Sequence, residues 1–568
     1  MHLLATAMVF LLQTPQAPPQ TSQPPKASIE GFAVRAGTNE PIARARITVN
    51  RTAAAGAAPL PPNSPSPNIP TVTTDNRGHF LIKDLDAGAY LLTAQRNGFA
   101  RQAYGERAAG RPGTPMNVIA GQALTDIVFR LTPAGAIGGR VSDATGEPLA
   151  GITVQVLRSS YDQNGKRTFQ TVGSGRSNDR GEYRVYWITP GRYYVNATPI
   201  RSPLDGLPIA PNSNEVVEPG YVLTYYPGTT DPSTASAVEV PPAGELSTID
   251  FTLTQQQLFR VRGRIFDTRT NQAPRSASVS IYPRNPTGGI VTSSERLNYN
   301  SGNGTFELRD VAPGSYWVRV LALPDPGAGL TTADIARNTA QVAVDVSNAD
   351  VENIVLALTG GFSLRGRVEL ENGSFSALSD IDRTRVYLFG TEPTGLSGGT
   401  PQLIKPDGTF ILENVQAGDY GISMQPMPPN TYFKSVRLGQ TDVSAGISIS
   451  GPLSEALEIM LGTNPGQIDG TIVDKEQKPM RGVQAILIPD RQRNRRDQYR
   501  FANSDQNGRF TMRTVAPGDY KLFAWEDLEP GAYNDPDFLR KYEGLATPVK
   551  VSESGKLTVE AKMIPAGR

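Results

Sequence analysis

A frame of thirteen residues occurs five times in this chain of 568, and no copy gains or loses a position. It reads Gly-x-aromatic-x-apolar-x-x-apolar-x-x-Gly-x-Tyr. The copies run from Gly78 to Tyr90, Gly181 to Tyr193, Gly304 to Tyr316, Gly408 to Tyr420 and Gly508 to Tyr520. Successive copies lie roughly 100 to 125 residues apart, so the frame sets the fold reading for the whole chain. The first Gly closes a polar turn, as in Asp75-Asn76-Arg77-Gly78 and Gln506-Asn507-Gly508, because Asn, Asp and above all Gly accept positive φ. The aromatic and apolar residues that follow, two apart, share one strand face, as Phe510 and Met512 do. A second tight turn, Pro190-Gly191, Pro313-Gly314 and Pro517-Gly518, leads to the Tyr that opens the next alternating strand. This is β-hairpin chemistry, so the frame is expected to be a central hairpin.

Each frame is flanked by the same companions. Upstream comes an apolar-x-Gly-x-apolar strand: Ile29-Gly31-Ala33, Ile137-Gly139-Val141, Val261-Gly263-Ile265, Leu364-Gly366-Val368 and Ile468-Gly470-Ile472. Downstream comes a closing alternating strand, such as Ile127-Phe129-Leu131 or Leu457-Ile459-Leu461. Short alternating strands between Gly, Pro and Asn turns predict an all-β chain of five tandem antiparallel β-sandwich modules, beads on a string. The expected boundaries are 28–134, 135–256, 257–359, 360–463 and 464–568. Modules of this length bury a core without staples, so the absence of Cys costs the fold little. It does exclude disulfides and thiolate chemistry. The turn-rich composition, 56 Gly and 47 Pro, argues against long helices; one helical turn is expected after Asn534, with Asp535 as cap and Pro536 first.

Leu3 to Leu12 is the one markedly apolar run, well short of the about 20 residues a membrane span needs. It fits the apolar region of a signal peptide, taken as residues 1–18 and followed by a Pro-rich linker, 19–27. The mature chain is then expected to be exported, to the periplasm, the outer surface or the medium, with no transmembrane segment. The Ala/Pro stretch from Ala53 to Pro70 is expected to be a disordered loop.

The opening Gly-x-Val strand, the Pro-Leu-x-Gly turn at Pro148-Leu149 and the Asp-x-x-Gly-x-Phe…Gly-x-Tyr frame resemble the carboxypeptidase regulatory-like domain. The resemblance covers nearly all of the chain beyond residue 27. It implies a transthyretin-like (prealbumin-like) sandwich, close to starch-binding-like folds. It also implies an accessory module, since in metallocarboxypeptidases this domain stands beside the catalytic one and in many bacterial envelope proteins it stands alone.

The residues that carry chemistry are sparse. His79 is the sole histidine past His2 and occupies a polar frame slot that should face solvent, so neither acid–base catalysis nor a zinc site is expected. Gly395-Leu396-Ser397-Gly398-Gly399 matches the nucleophile-elbow pattern but lacks a downstream His. None of the Asp/Asn-Gly turns supplies both the alternating acids and the distal Glu of a calcium loop, and no cofactor is expected. The arginines at 491, 493, 495, 496 and 500 read as a solvated hairpin loop, with an anionic envelope partner as the sharper alternative. A net charge of +1, with both signs interspersed, lacks the footprint of a nucleic-acid binder. Acid pairs such as Glu526-Asp527 leave a carboxylate-based enzyme as a remote alternative.

Aromatic residues are the remaining functional signal, because flat rings with polar handles suit sugar faces. The second module carries Tyr186, Trp187, Tyr193, Tyr194, Tyr221, Tyr225 and Tyr226, and a carbohydrate platform is expected to centre on Trp187, Tyr221 and Tyr225. Tyr104 and Tyr226 precede their closing strands by the same interval and are expected to share a packing role. The chain is therefore read as a non-enzymatic exported envelope protein, a binding or spacer scaffold. Its expected partners are a polysaccharide or an envelope protein.

Overall fold

The computed structural model describes residues 25–51, 71–106, 110, 113–199, 218–284, 296–323, 338–373, 375, 378, 383–391 and 398–566. The leader 1–18, most of the linker, the stretch from Ala53 to Pro70 and the Gly395-Leu396-Ser397 part of the elbow-like sequence lie outside them. The chain is five tandem β-sandwich modules. In the fifth, one sheet places Gly466–Val473 between Arg509–Val515 and Lys556–Lys562; the other orders Arg500–Asn503, Gln484–Pro489, Gly518–Trp525 and Thr547–Val551. Each module encloses its own apolar core between two such sheets.

Most pairings are antiparallel, with one systematic exception. In every module the opening strand runs parallel to the closing strand, as Ala27–Arg35 does to Ala123–Leu131 and Gly466–Val473 to Lys556–Lys562. The chain thus enters at one end of a module and leaves at the other, which lets the modules follow one another through linkers of a few residues.

Only in the third module does the frame's first turn close a hairpin, where Arg296–Asn300 pairs antiparallel with Thr305–Val311, and even there the second turn crosses to the other sheet. In the other four, both turns carry the chain from one sheet to the other, so the hairpin expectation is corrected to an arch. Hairpin and arch share turn residues and inward parity, which is why the sequence pattern suits both. In each copy the frame Tyr closes the crossing by donating its hydroxyl to the carbonyl four residues back: Tyr90 to Asp86, Tyr193 to Thr189, Tyr316 to Ala312, Tyr420 to Gln416 and Tyr520 to Ala516. The opening-strand Gly lies directly opposite the frame aromatic, Gly470 against Phe510, and a Cβ on Gly470 would sit 2.4 Å from that ring.

The string folds back on itself. In the fifth module, Ile486, Ile488, Phe523 and Trp525 lie on the outer sheet face, beneath the helix Pro536–Arg540 and its neighbours. That helix forms where expected, with the Asp535 carboxylate accepting the Asp537 N–H. Tyr161 of the second module packs on the same cluster. Its backbone N–H donates to Pro530 (2.8 Å), while the Asn534 side chain donates to the Asp162 carbonyl (3.0 Å). The fifth module also meets the fourth, through Arg495 donating to the Phe433 carbonyl. Among the described residues no helix is long and apolar enough to cross a membrane.

Candidate ligand-binding site

Several chemistry-bearing residues are engaged by the fold itself. The ring of His79 stands 2.8 Å from the Glu30 carboxylate and against Phe32. The Asp75 carboxylate accepts the N–H groups of Arg77 and His79, and Asp505 does the same for Asn507 and Arg509. Those backbone donors hold the Asp75 carboxyl below its usual range. Apart from Arg491, which is exposed, the arginine run is not a solvated loop. Arg495 is 6% exposed and grips Asp497 with two bonds of 2.8 Å; Arg500 donates to the Thr514 carbonyl; Arg496 lies over the Tyr499 ring and reaches the Asn534 carbonyl. These contacts, with that of Arg495 to the Phe433 carbonyl, stitch the loop to its own module and to the fourth, a role that charge spacing alone does not reveal. Among the described residues no group of three or more His, Asp or Glu is placed to hold a metal ion.

The three aromatic residues expected to form a platform are separated. Tyr225 is 2% exposed, in a satellite core with Leu157, Phe169 and Tyr194, and burial pushes its hydroxyl up to about 12. Its place in the platform is therefore corrected: the ring fills a core formed by an insertion of this module and cannot stack on a ligand. Tyr221 is half-buried on the short strand Gly220–Tyr221 and packs against the main core. Trp187 alone of the three stands in the open, at 57% exposure. Tyr104 and Tyr226 do share a packing role, each standing edge-on to the closing-strand Phe at 6.2 Å and 74°.

The partner of Trp187 is its neighbour Tyr186, 58% exposed, with ring centroids 4.9 Å apart and planes at 86°. Both come from a bulge. The register between Glu182–Ile188 and the opening strand Gly135–Asp143 slips between Tyr186 and Ile188, which leaves one residue extra and turns both rings outward. Trp187 takes φ +60°, in the left-handed region. Two residues before the bulge pair, Arg184 projects from the same strand. Its guanidinium holds the Glu245 carboxylate with bonds of 2.7 and 3.1 Å, and this pairing keeps that carboxyl below its usual range. Gly135–Asp143 lies between the strands that carry the two, so the ion pair crosses it, over small residues such as Ala136 and Gly138.

Arg184, Tyr186, Trp187 and Glu245 line an open groove of about 390 Å³ with Gly98 of the first module and Gly135 and Gly244 of the second. The backbone orders the linker at the joint: Ala134 N–H to Gly98 O at 3.0 Å and Ala100 N–H to Thr132 O at 2.9 Å hold it to the first module, and Ala243 N–H to Pro133 O at 3.2 Å ties it to the second. Sequence reasoning missed Arg184 and Glu245 because 61 positions separate them and no local pattern joins them. A second groove, of about 400 Å³, lies on the third module, where Arg262 bridges Glu307 and Glu352.

Three findings relate the chain to known proteins. A model of the family described as carboxypeptidase regulatory-like domain matches residues 28–132. Colossin-A of Dictyostelium discoideum is 24% identical over 388 residues, which is 65% of this chain and 3% of Colossin-A, so the chain spans a small fraction of that relative. Among solved structures, the minor pilin GBS52 of Streptococcus agalactiae is similar at 11% identity over 41% of this chain and 96% of its own, with a TM-score of 0.23. The Bacillus anthracis TIE protein is similar at 15% identity over 59% of this chain and 51% of its own, with a TM-score of 0.16. Likeness at these TM-scores bears neither on module arrangement nor on ligand.

Proposed function

We propose that this chain, whose first module is a carboxypeptidase regulatory-like domain and whose four others repeat its frame, is a non-enzymatic scaffold of the cell envelope. In this reading it is exported, with modules at 28–134, 135–256, 257–359, 360–463 and 464–568, and its task is to hold binding surfaces for an envelope protein or polysaccharide. The observation that supports it is the use made of reactive side chains: His79, the turn aspartates and Arg495, Arg496 and Arg500 are all engaged in holding turns, strands and module contacts. Fractionation of cells producing the tagged full chain, with a pull-down from envelope extract, tests it. Recovery in the envelope fraction with a stoichiometric partner is expected. Recovery in the cytoplasm, or turnover of a substrate by the purified chain, would refute it. A second reading, carbohydrate binding by the second module, is favoured by one specific observation, the exposure of Trp187 with Tyr186 beside it.

A further inference from the structure

We propose that the groove at the joint of the first and second modules is a saccharide subsite. It takes a neutral β-linked glucan segment against Tyr186 and Trp187 and holds its hydroxyls with Arg184 and Glu245. The proposal rests on the second reading above and gives it a site and a ligand class.

The five copies of the frame supply an internal comparison. The position six residues after the first Gly is in the left-handed region in all of them: Asp84 (φ 61°), Trp187 (60°), Asp310 (67°), Asn414 (58°) and Thr514 (54°). Asp and Asn suit that conformation because their short polar side chains tolerate it; a β-branched or bulky residue there is strained, and where the fifth module places Thr514, Arg500 donates to its carbonyl. The preceding position holds Lys83, Arg309, Glu413 and Arg513 in the other modules and Tyr186 in this one. The second module thus replaces two polar bulge residues with two rings, against the backbone preference at one of them. It gains no core by doing so, since both rings stay more than half exposed. A local rule broken without packing in return marks a functional position.

The chemistry of the groove selects the ligand class. Arg184 and Glu245 neutralise each other and lock together, so they present donors and acceptor lone pairs in fixed directions with no net charge. An anion or a cation would meet its own sign on one of the two. A polyhydroxylated neutral ligand meets neither penalty. The rings require apolar faces beside those hydroxyls, and β-linked glucose, with its hydroxyls equatorial, turns C–H groups to both faces of the ring. Two rings at 86° form a corner, so one covers the face of a sugar and the other its edge. The volume, about 390 Å³, falls within the range of about 300–1,000 Å³ usual for small-ligand sites. Backbone bonds hold the linker to the first module, and one, Ala243 N–H to Pro133 O, ties it to the second, which orders this wall of the cradle before any ligand arrives and lowers the ordering cost of binding.

Affinity electrophoresis of the full chain through gels containing hydroxyethyl cellulose, laminarin or polygalacturonate tests this, with a thermal melt of every variant. Retardation on at least one of the two neutral β-glucans is expected, unchanged by high salt because ring stacking is uncharged. Trp187→Asp keeps a residue that the same bulge carries at 84 and 310, so it should melt normally and bind about tenfold more weakly or worse. Tyr186→Lys, which copies position 83, is the second probe should the first fail to fold, and should weaken binding similarly. The proposal is overturned if neither β-glucan retards the wild-type chain, if both variants bind like wild type, or if retardation appears on polygalacturonate alone and vanishes with salt. Loss of a protein partner on Trp187→Asp without any glucan binding also overturns it. Failure of the glucan arm with an intact envelope pull-down leaves the scaffold reading standing.

Discussion

The second and fifth modules both carry more aromatic residues than one sandwich core needs, and they place them in opposite ways. In the fifth, Phe523 and Trp525 stack at 4.8 Å with planes 4° apart and are 0% and 2% exposed, sealed by the helix Pro536–Arg540. In the second, Tyr186 and Trp187 meet edge to face and stay more than half exposed. The contrast separates rings that stabilise from rings that are displayed: an insertion covers the outer sheet face in one module and leaves a bulge bare in the other.

The widest gap between the two pairs should appear on truncation. Trp525→Ala removes a fully buried ring and should cost about 3–5 kcal/mol by urea titration, whereas Trp187→Ala should cost nothing of that order. Equal costs would break the distinction. Next in size is Gly531→Val. A Cβ on Gly531, at φ +78°, would lie 2.1 Å from the Tyr161 carbonyl of the second module. Strain in the turn and the clash together should cost about 2–3 kcal/mol. Calorimetry should then show the second and fifth modules melting apart, where the wild-type pair is expected to melt as one; unchanged coupling would mean that the covering insertion does not brace the two.

Covered and open carboxyls extend the comparison. Burial pushes Glu106 of the first module up to about 7, against an ordinary 4.5, although the Ala103 N–H donates to it; Glu245, in the open groove, is held low by Arg184. A raised carboxyl is a penalty on the folded state. It is absent below about pH 4.5, grows as pH rises toward about 7 and is constant above. Discounted for partial exposure, Glu106→Gln should gain about 1–2 kcal/mol at pH 8 and nothing at pH 4. A gain independent of pH would show that packing, not charge, is the cause.

The five cores were legible because the frame repeats with fixed parity; Phe80, Ile82, Leu85 and Tyr90 could point inward in only one way. Arch and hairpin were not separable, since both satisfy that parity. The covered outer face of the fifth module had a signal, the unbroken apolar runs Ala485-Ile486-Leu487-Ile488 and Leu522-Phe523-Ala524-Trp525, in which alternation gives way to burial on both faces. Tyr225 was misread because ring count says nothing of which rings an insertion will cover. Trp187 was found by composition, but its cradle depends on a contact with Glu245 that only the fold creates.

The smallest expected effect is the sharpest test of why Trp187 is where it is. A tryptophan at φ +60° carries a steric cost that Asn or Asp at the same bulge largely escapes, and Trp187 has little buried surface to set against it. Trp187→Asn should therefore stabilise the chain by about 0.5–1 kcal/mol. The reciprocal change, Asp84→Trp at the exposed bulge of the first module, should destabilise by a similar amount. Both are read as shifts of the urea midpoint at constant slope. Should Trp187→Asn lose stability instead, the ring would be contributing packing that its exposure hides, and the argument that it is kept for a ligand would lose its energetic basis. Opposite signs for the two variants would mean that the second module accepts a standing cost to display a ring its sister modules do without.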